Sequence, residues 1–242
     1  MRVSDPVTRP AAPAPAPDIR LTPGYYITAT TSSFIAGLLE SCRTVFDIKA
    51  ALTLALNAPQ NLLPVRRGSF DDGAVIEGDV IVQAGARIEA GARVVGPVLV
   101  CSGSVISSGA LVRDHTVIGP DCQVGFGAEI TRSLLAGGCF MKHPSFVGDS
   151  VLGQGVNVGA FVSTTGLRAT GPVTEPAMDE ITVTLDGQRF GTGQTKFGAV
   201  IGDRVALPAG TVLSPGTLIG PGTVIYPRQQ VGGILPAGSR VR

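Results

Sequence analysis

Ile76, Val82, Ile88, Val94, Val100, Ile106, Val112, Ile118, Val124 and Ile130 recur at every sixth position, an unbroken series of β-branched aliphatic residues. Four residues after each comes Val80, Ala86, Ala92, Val98, Ser104, Ala110, Thr116, Cys122 and Ala128, all small or β-branched, until Leu134 ends that second series. A period of six with one obligatory aliphatic and one small inward residue is the signature of a hexapeptide β-helix. Three hexads close a triangular coil whose flat sides are short strands, with Gly, Asp or Asn at corners that need unusual backbone angles. Such coils stack through parallel ladders at ~4.8 Å per coil and bury a continuous aliphatic column.

The register then slips. Leu135, Met141 and Val147 keep the six-residue spacing one position early, and Leu152 with Val158 come early by one more. Slips of this kind mark coils with altered corners. Residues 164–199 leave the repeat, and within them "ITVTLDGQRF" alternates Ile181, Val183 and Leu185 ahead of Asp186-Gly187, which predicts a hairpin. The repeat resumes at Ile201, Leu207, Leu213, Ile219, Ile225 and Val231. The two blocks predict about seven coils, or ~34 Å of stack.

Upstream, "TTSSFIAGLLESC" and "VFDIKAALTLALN" read as two short helices. In the second, Phe46, Ala50, Leu52, Ala55 and Leu56 share a broad face, and Asn57-Ala58-Pro59 ends the run. Too short to be stable alone, both are expected to pack against the start of the repeat. Residues 1–23 alternate Pro and Ala without hydrophobic anchors, as a disordered or polyproline-like tail does. The predicted layout is a tail over 1–23, a helical segment over 24–64, and an all-β solenoid over 65–242 with 164–199 inserted.

Composition narrows the function classes. A net charge of +1 with 15% charged residues gives no electrostatic footprint for nucleic acid or an anionic membrane. Aromatics are 5% and Trp is absent, so the core must be aliphatic, and 33 glycines imply many tight corners. Cys42, Cys101, Cys122 and Cys139 show no C-x-x-C spacing and read as reduced, partly buried small residues. No charged segment followed by an apolar one opens the chain, and no apolar run reaches ~18 residues. A soluble, cytoplasmic protein is expected.

Candidate chemistry centres on "MKHPSFVGDSVLGQGVNVGA", residues 141–160, which holds His143, one of only two histidines. A β-helix coil has little interior space, so a site must lie between its outer wall and a neighbour, with the insert a natural wall. His115 sits at a different hexad position and no third histidine exists, so a three-histidine zinc site is not expected. No metal is predicted.

The segments "AVIEGDVIVQAGARIEAGARVVGPVLV", "GALVRDHTVIGPDCQVGFGAEITRS" and "KHPSFVGDSVLGQGVNVGA" follow one another with the spacing of a known domain. They resemble the C-terminal acetyltransferase domain of bifunctional sugar-1-phosphate nucleotidyltransferases, the glucosamine-1-phosphate N-acetyltransferase / UDP-N-acetylglucosamine pyrophosphorylase family. "VTLDGQRFGTGQTKFGAVIGD" and "TVIYP" are similar to its later part, and "TVFDIKAALTLALN" to the helix joining its two domains. The likeness runs from about Val45 to Val231 and leaves no room for the family's nucleotidyltransferase half. It implies a left-handed parallel β-helix, a homotrimer with sites at the subunit grooves, and acetyl-CoA as co-substrate for an amino-sugar phosphate acceptor.

The resemblance also implies roles. His143 matches a general base that takes a proton from the sugar amine as it attacks the thioester, a task suited to an imidazole titrating near neutrality. Glu129 matches an acid that orients the imidazole or holds the amine. Arg113 matches a phosphate-contacting arginine, Asn157 a sugar-contacting asparagine, Lys196 a loop lysine, and Ala160 lies where the family meets the coenzyme. Thr131 stands where the family often has lysine, with Arg132 beside it as a substitute. Phe146 replaces a tyrosine, Gly166 an asparagine, and Pro172 lies near an expected lysine. Two readings therefore stay open: a CoA-dependent N-acyltransferase, or a non-catalytic trimeric scaffold or regulatory subunit that pairs with a separate nucleotidyltransferase.

Overall fold

Main-chain hydrogen bonds run from each coil to the next, placing Val82 beside Val100, Val100 beside Ile118, and Ile118 beside Leu135. These ladders build three parallel sheets of nine, eight and eight strands, the faces of a triangular prism. The fold is the left-handed parallel β-helix expected from the sequence. The computed structural model describes residues 16–58, 66–170, 172, 174–175, 177–227 and 229–242. The first face runs from Ser69–Phe70 to Arg240–Val241, the second from Val75–Glu77 to Gln230–Val231, and the third from Val80–Val82 to Ile234–Leu235. Ile88, Val94, Val100, Ile118, Ile130 and their counterparts in later coils form the buried inner column.

The nine-stranded face means about nine coils, where the hexad count predicts seven. The difference lies where the aliphatic signal is weak. Ser69–Phe70 pairs in parallel with Arg87–Ile88 although Phe70 is exposed, Thr164 takes an inward position before the insert, and Ile234–Leu235 and Arg240–Val241 extend the far end.

Both register slips fall at the same corner. Between Ile130 and Leu135, and again between Val147 and Leu152, the turn from the second face to the third is one residue short. Arg132 (φ 46°) and Asp149 (φ 51°) close these shortened turns in the left-handed region. Asp and Asn reach that region at small cost, whereas an arginine there must be held by its surroundings.

The N-terminal residues and the insert share one task, covering the third face. Helices α1 (Pro23–Tyr26), α2 (Ser33–Glu40) and α3 (Ile48–Asn57) bury Tyr26, Ile35, Leu38, Ile48, Leu52 and Leu56 against outward-facing Leu99, Val117, Leu134, Val151, Val200 and Leu218. The Ser32 side chain caps α2 by accepting from the Ile35 amide. In the insert, Thr182–Leu185 pairs antiparallel with Gln188–Gly191 across Asp186 (φ 50°) and Gly187 (φ 81°), the two left-handed residues that a tight hairpin turn needs. Ile181, Val183 and Leu185 pack into the same apolar layer. The insert therefore covers the third face, away from the corner that carries His143, and among the described residues none of it lines the cleft beside that histidine.

Residues 1–15 of the expected tail, and Pro59, lie outside the described residues. Regular structure begins before the expected boundary at residue 23. Ile19–Leu21 forms a 3-10 turn because Leu21 is buried under the helices and Arg20 is tied to Asp18 and to Asp186 of the hairpin. All four cysteines are free and buried, and burial pushes the Cys101 thiol up to about 11. Among the described residues no helix is long and apolar enough to cross a membrane.

One buried carboxylate fastens this cover to the solenoid. Asp203 accepts from the Thr28 amide at 2.9 Å, the Thr28 hydroxyl at 2.7 Å and the Gln154 amide at 2.7 Å. Asp203→Ala leaves these donors without their charged acceptor, so it is expected to lower the unfolding free energy by about 3 kcal/mol. Urea denaturation measures that loss, and faster hydrogen exchange at the Thr28 amide would localise it. Wild-type stability and exchange in the variant would contradict the fastening role.

Candidate functional site

The turns that carry the chain from the first face to the second stack into a ridge, and His143 sits on it. Its turn follows Phe140–Met141 and precedes Ser145–Gly148, whose Ser145 hydroxyl donates to the His143 carbonyl at 2.8 Å. The imidazole is exposed. A cleft of about 390 Å³ opens here, lined by Phe140, Lys142, His143, Asn157, Gly159 and Ala160 among others. Asn157 comes from the next coil, in register with Phe140, and the Ala160 carbonyl accepts from the Gly210 amide at 2.8 Å. The ladder thus gathers three predicted residues, His143, Asn157 and Ala160, into one cavity wall.

Lys142 is the cleft residue that sequence reasoning missed. Its ammonium stands 5.5 Å from the centroid of the Phe140 ring, within range of a cation–π contact. Among the described residues no carboxylate lines the cleft, so Lys142 gives its wall a net positive charge. The signal was available, since Phe140 and Lys142 alternate with inward Met141 and must therefore share the outer surface.

Arg113, Glu129 and Arg132 gather further along the second face, toward its corner with the third. Arg113 donates to Glu129 Oε1 from Nη2 at 2.8 Å and from Nε at 3.2 Å, and its Nη1 pairs with Asp114. Arg132 donates to Asp149 from Nε at 2.9 Å and Nη2 at 3.1 Å, with Nη1 3.4 Å from Asp114. Lys49 of α3 closes the chain, its ammonium 2.9 Å from Asp149 Oδ1. Three cations and three carboxylates alternate along this line, so its formal charge cancels. Glu129 is engaged by Arg113, and among the described residues no hydrogen bond joins it to His143.

Burial pushes the Asp149 carboxyl up, but its hydrogen bonds and charge contacts with Arg132 and Lys49 outweigh this and leave it below the ordinary carboxylate range. The same Asp149 hydrogen bond raises Arg132 against the opposing effect of desolvation.

Phe146 links the two groups. It stands in register with Glu129, and its ring folds over Gly148, where an added Cβ would lie 2.7 Å from Cζ. That Cβ would also stand 3.5 Å from the Thr131 methyl, so Phe146, Gly148 and Thr131 form an apolar patch between the cleft and the arginines. Gly166 borders Asp149, since a Cβ there would meet Oδ2 at 3.5 Å. Lys196 reaches this corner through its main chain, its carbonyl accepting from Lys49 while its own side chain is exposed. His115 is half-buried at the same corner, with Nε2 2.8 Å from Asn57 Oδ1 at the end of α3.

Comparison with known proteins places the chain. The family model described as the GMPPB C-terminal domain matches residues 94–208. A bifunctional sugar-1-phosphate nucleotidylyltransferase/acetyltransferase of Sulfurisphaera tokodaii is 33% identical over 160 residues, 66% of this chain and 38% of that protein. The bifunctional protein GlmU of Methanococcus vannielii is 39% identical over 146 residues, 60% of this chain and 33% of its own length. The matched region therefore spans between a third and two-fifths of these relatives. A crystal structure of UDP-N-acetylglucosamine acyltransferase aligns with 70% of this chain and 68% of its own at 12% identity, with a TM-score of 0.37.

The Asp149 cluster makes stability depend on pH with a definite sign. Because the folded carboxyl titrates below its ordinary value of 3.8, its stabilising contribution is complete above that value and drains as pH falls through the lower, folded value. The unfolding free-energy difference between wild type and Asp149→Asn is expected to be constant above about pH 5 and to shrink below about pH 4. Denaturant melts across this range measure it. A difference that persists unchanged to about pH 2 would remove Asp149 as the source.

Proposed function

We propose that this chain, whose solenoid is homologous to that of the GlmU-type bifunctional proteins, is a CoA-dependent N-acyltransferase that acetylates an amino-sugar 1-phosphate such as glucosamine-1-phosphate. The observation that carries the reading is the shared cleft. His143, Asn157 and Ala160 meet at one corner, with Arg113 and Arg132 further along the adjoining face.

On this reading the acceptor lies along the second face, its amine at His143 and its phosphate toward the arginines. The small residues Gly159, Ala160 and Ala209 leave a slot for the narrow pantetheine arm. The amine nitrogen attacks the thioester carbonyl while the imidazole of His143 takes the ammonium proton. The C–N bond forms, the C–S bond breaks, and the coenzyme leaves as its thiol once that proton is passed on. A positioned base of this kind accounts for roughly 10²–10⁴-fold in rate. Asn157 bonds the sugar, and Glu129 acts through Arg113 rather than on the imidazole. Lys196 reaches the acceptor from the second–third corner.

The working form on this reading is a homotrimer in the cytoplasm. Phe126 and Phe161, 68% and 72% exposed, stand on the same ridge as His143, apolar surface of the kind a second copy covers. The scaffold reading has one observation in its favour, the cancelled charge around the two arginines.

Incubation with acetyl-CoA and glucosamine- or galactosamine-1-phosphate should release free thiol, and His143→Ala should lower the rate by roughly 10²–10⁴-fold. Equal release by the variant would remove His143 from the mechanism. Absence of CoA binding in calorimetry at millimolar concentration would favour the scaffold. Sedimentation should give a trimer, and Phe161→Asp, at a φ of 59° that Asp tolerates, should shift it to monomer. A monomeric wild type would overturn the assembly.

A further inference from the structure

Arg132 is gripped along one edge only. Its Nε and Nη2 meet the two oxygens of Asp149 side-on, and Nη1 turns one hydrogen toward Asp114. A guanidinium carries five N–H bonds in a rigid plane. Among the described residues three are used in this way, leaving one N–H on each terminal nitrogen able to meet an oxyanion. Arg113 repeats the arrangement one coil earlier, with Glu129 on its Nε–Nη2 edge and the same Asp114 at Nη1.

Asp149 is itself held from behind. Its side chain is 7% exposed, and Lys49 reaches it at 2.9 Å while also donating to the Lys196 carbonyl. Lys49 follows buried Ile48 on α3, and Leu52 one turn later is buried with it in the layer over the third face. The Arg132 side chain, at the corner between the second face and the third, is therefore oriented, through Asp149, by a helix packed on the third.

We propose that Asp149 and Lys49 are positioning residues that hold Arg132 with its free N–H pair turned to the acceptor's phosphate, which makes α3 part of the acceptor site. The proposal rests on the acyl-transfer reading only for the identity of that anion. The shortened corners at Arg132 and Asp149 stack the two residues on neighbouring coils, and Gly166 presents no side chain of its own beside Asp149 Oδ2.

Two readouts on the intact protein test the proposal. In steady-state kinetics, Asp149→Asn and Lys49→Met should raise the acceptor KM about tenfold while kcat and the acetyl-CoA KM change less than about threefold. Lys49→Arg should restore the wild-type KM. In NMR, inorganic phosphate should shift the Arg132 Nε–H resonance of the wild type, and the shift should be lost or need about tenfold more phosphate in Asp149→Asn. Asn keeps the left-handed turn, so a folded variant is expected, and circular dichroism checks it. A purely structural role would lower Tm and leave the KM and phosphate response unchanged, which overturns the proposal. So does a wild type whose Arg132 does not respond to phosphate. If the wild type acetylates no amino sugar but phosphate still moves Arg132 in the Asp149-dependent way, the acyl-transfer reading falls and the positioning role stands.

Discussion

Each coil is bonded through its main chain to the coil before and the coil after, and that ladder decides which residues can be neighbours. Side chains about three hexads apart in sequence become adjacent in space, whatever their chemistry. The inner column satisfies the constraint with aliphatic residues whose burial drives the folding, at about 25 cal/mol per Å². The outer surface inherits the same registration without choosing it. His143, Asn157 and Ala160 share a cleft because two consecutive coils place their corners together, and Arg113 and Arg132 share Asp114 for the same reason.

Much of this is legible in the sequence. The six-residue recurrence from Ile76 to Ile130 carries the fold, and the Asp186-Gly187 hairpin follows from its turn residues. The early arrivals of Leu135 and Leu152 showed that two corners were altered, though not that Arg132 and Asp149 would close them. A second periodic series went unread. Leu99, Val117, Leu134, Val151, Val200 and Leu218 each precede an inward residue of the third face, and all are apolar. A strand that is apolar on both sides must be covered on both, so that series announces the helices and hairpin lying over it.

The charge network is less legible for a physical reason. Lys49 and Asp149 are 100 residues apart, and no local pattern states that α3 will cross that corner. The family resemblance assigns Glu129 to the imidazole of His143 or to the acceptor amine. Arg113, one coil away on the same face, is a nearer partner and a stronger one, because a guanidinium can meet a carboxylate with two N–H bonds. Competition between partners for one carboxylate is settled by distances, which neither a repeat length nor a resemblance supplies.

The cover over the third face ties residues 20–28 to residues 186–237. The Tyr25 hydroxyl accepts a hydrogen bond from the Ala237 amide, Thr28 is bound to Asp203, and Arg20 to Asp186. During synthesis the solenoid can wind coil by coil as it emerges, because each coil needs only its predecessor. The cover cannot close fully in that order, since Asp186, Asp203 and Ala237, to which it is bonded, come after most of the coils. A growing chain therefore carries the outward leucines and valines of its third face in the open while α1, α2 and α3 wait without their late partners. Exposed apolar strips of this kind are where nascent chains associate wrongly, so the most hazardous interval in the life of this protein falls between the emergence of its first coils and its last.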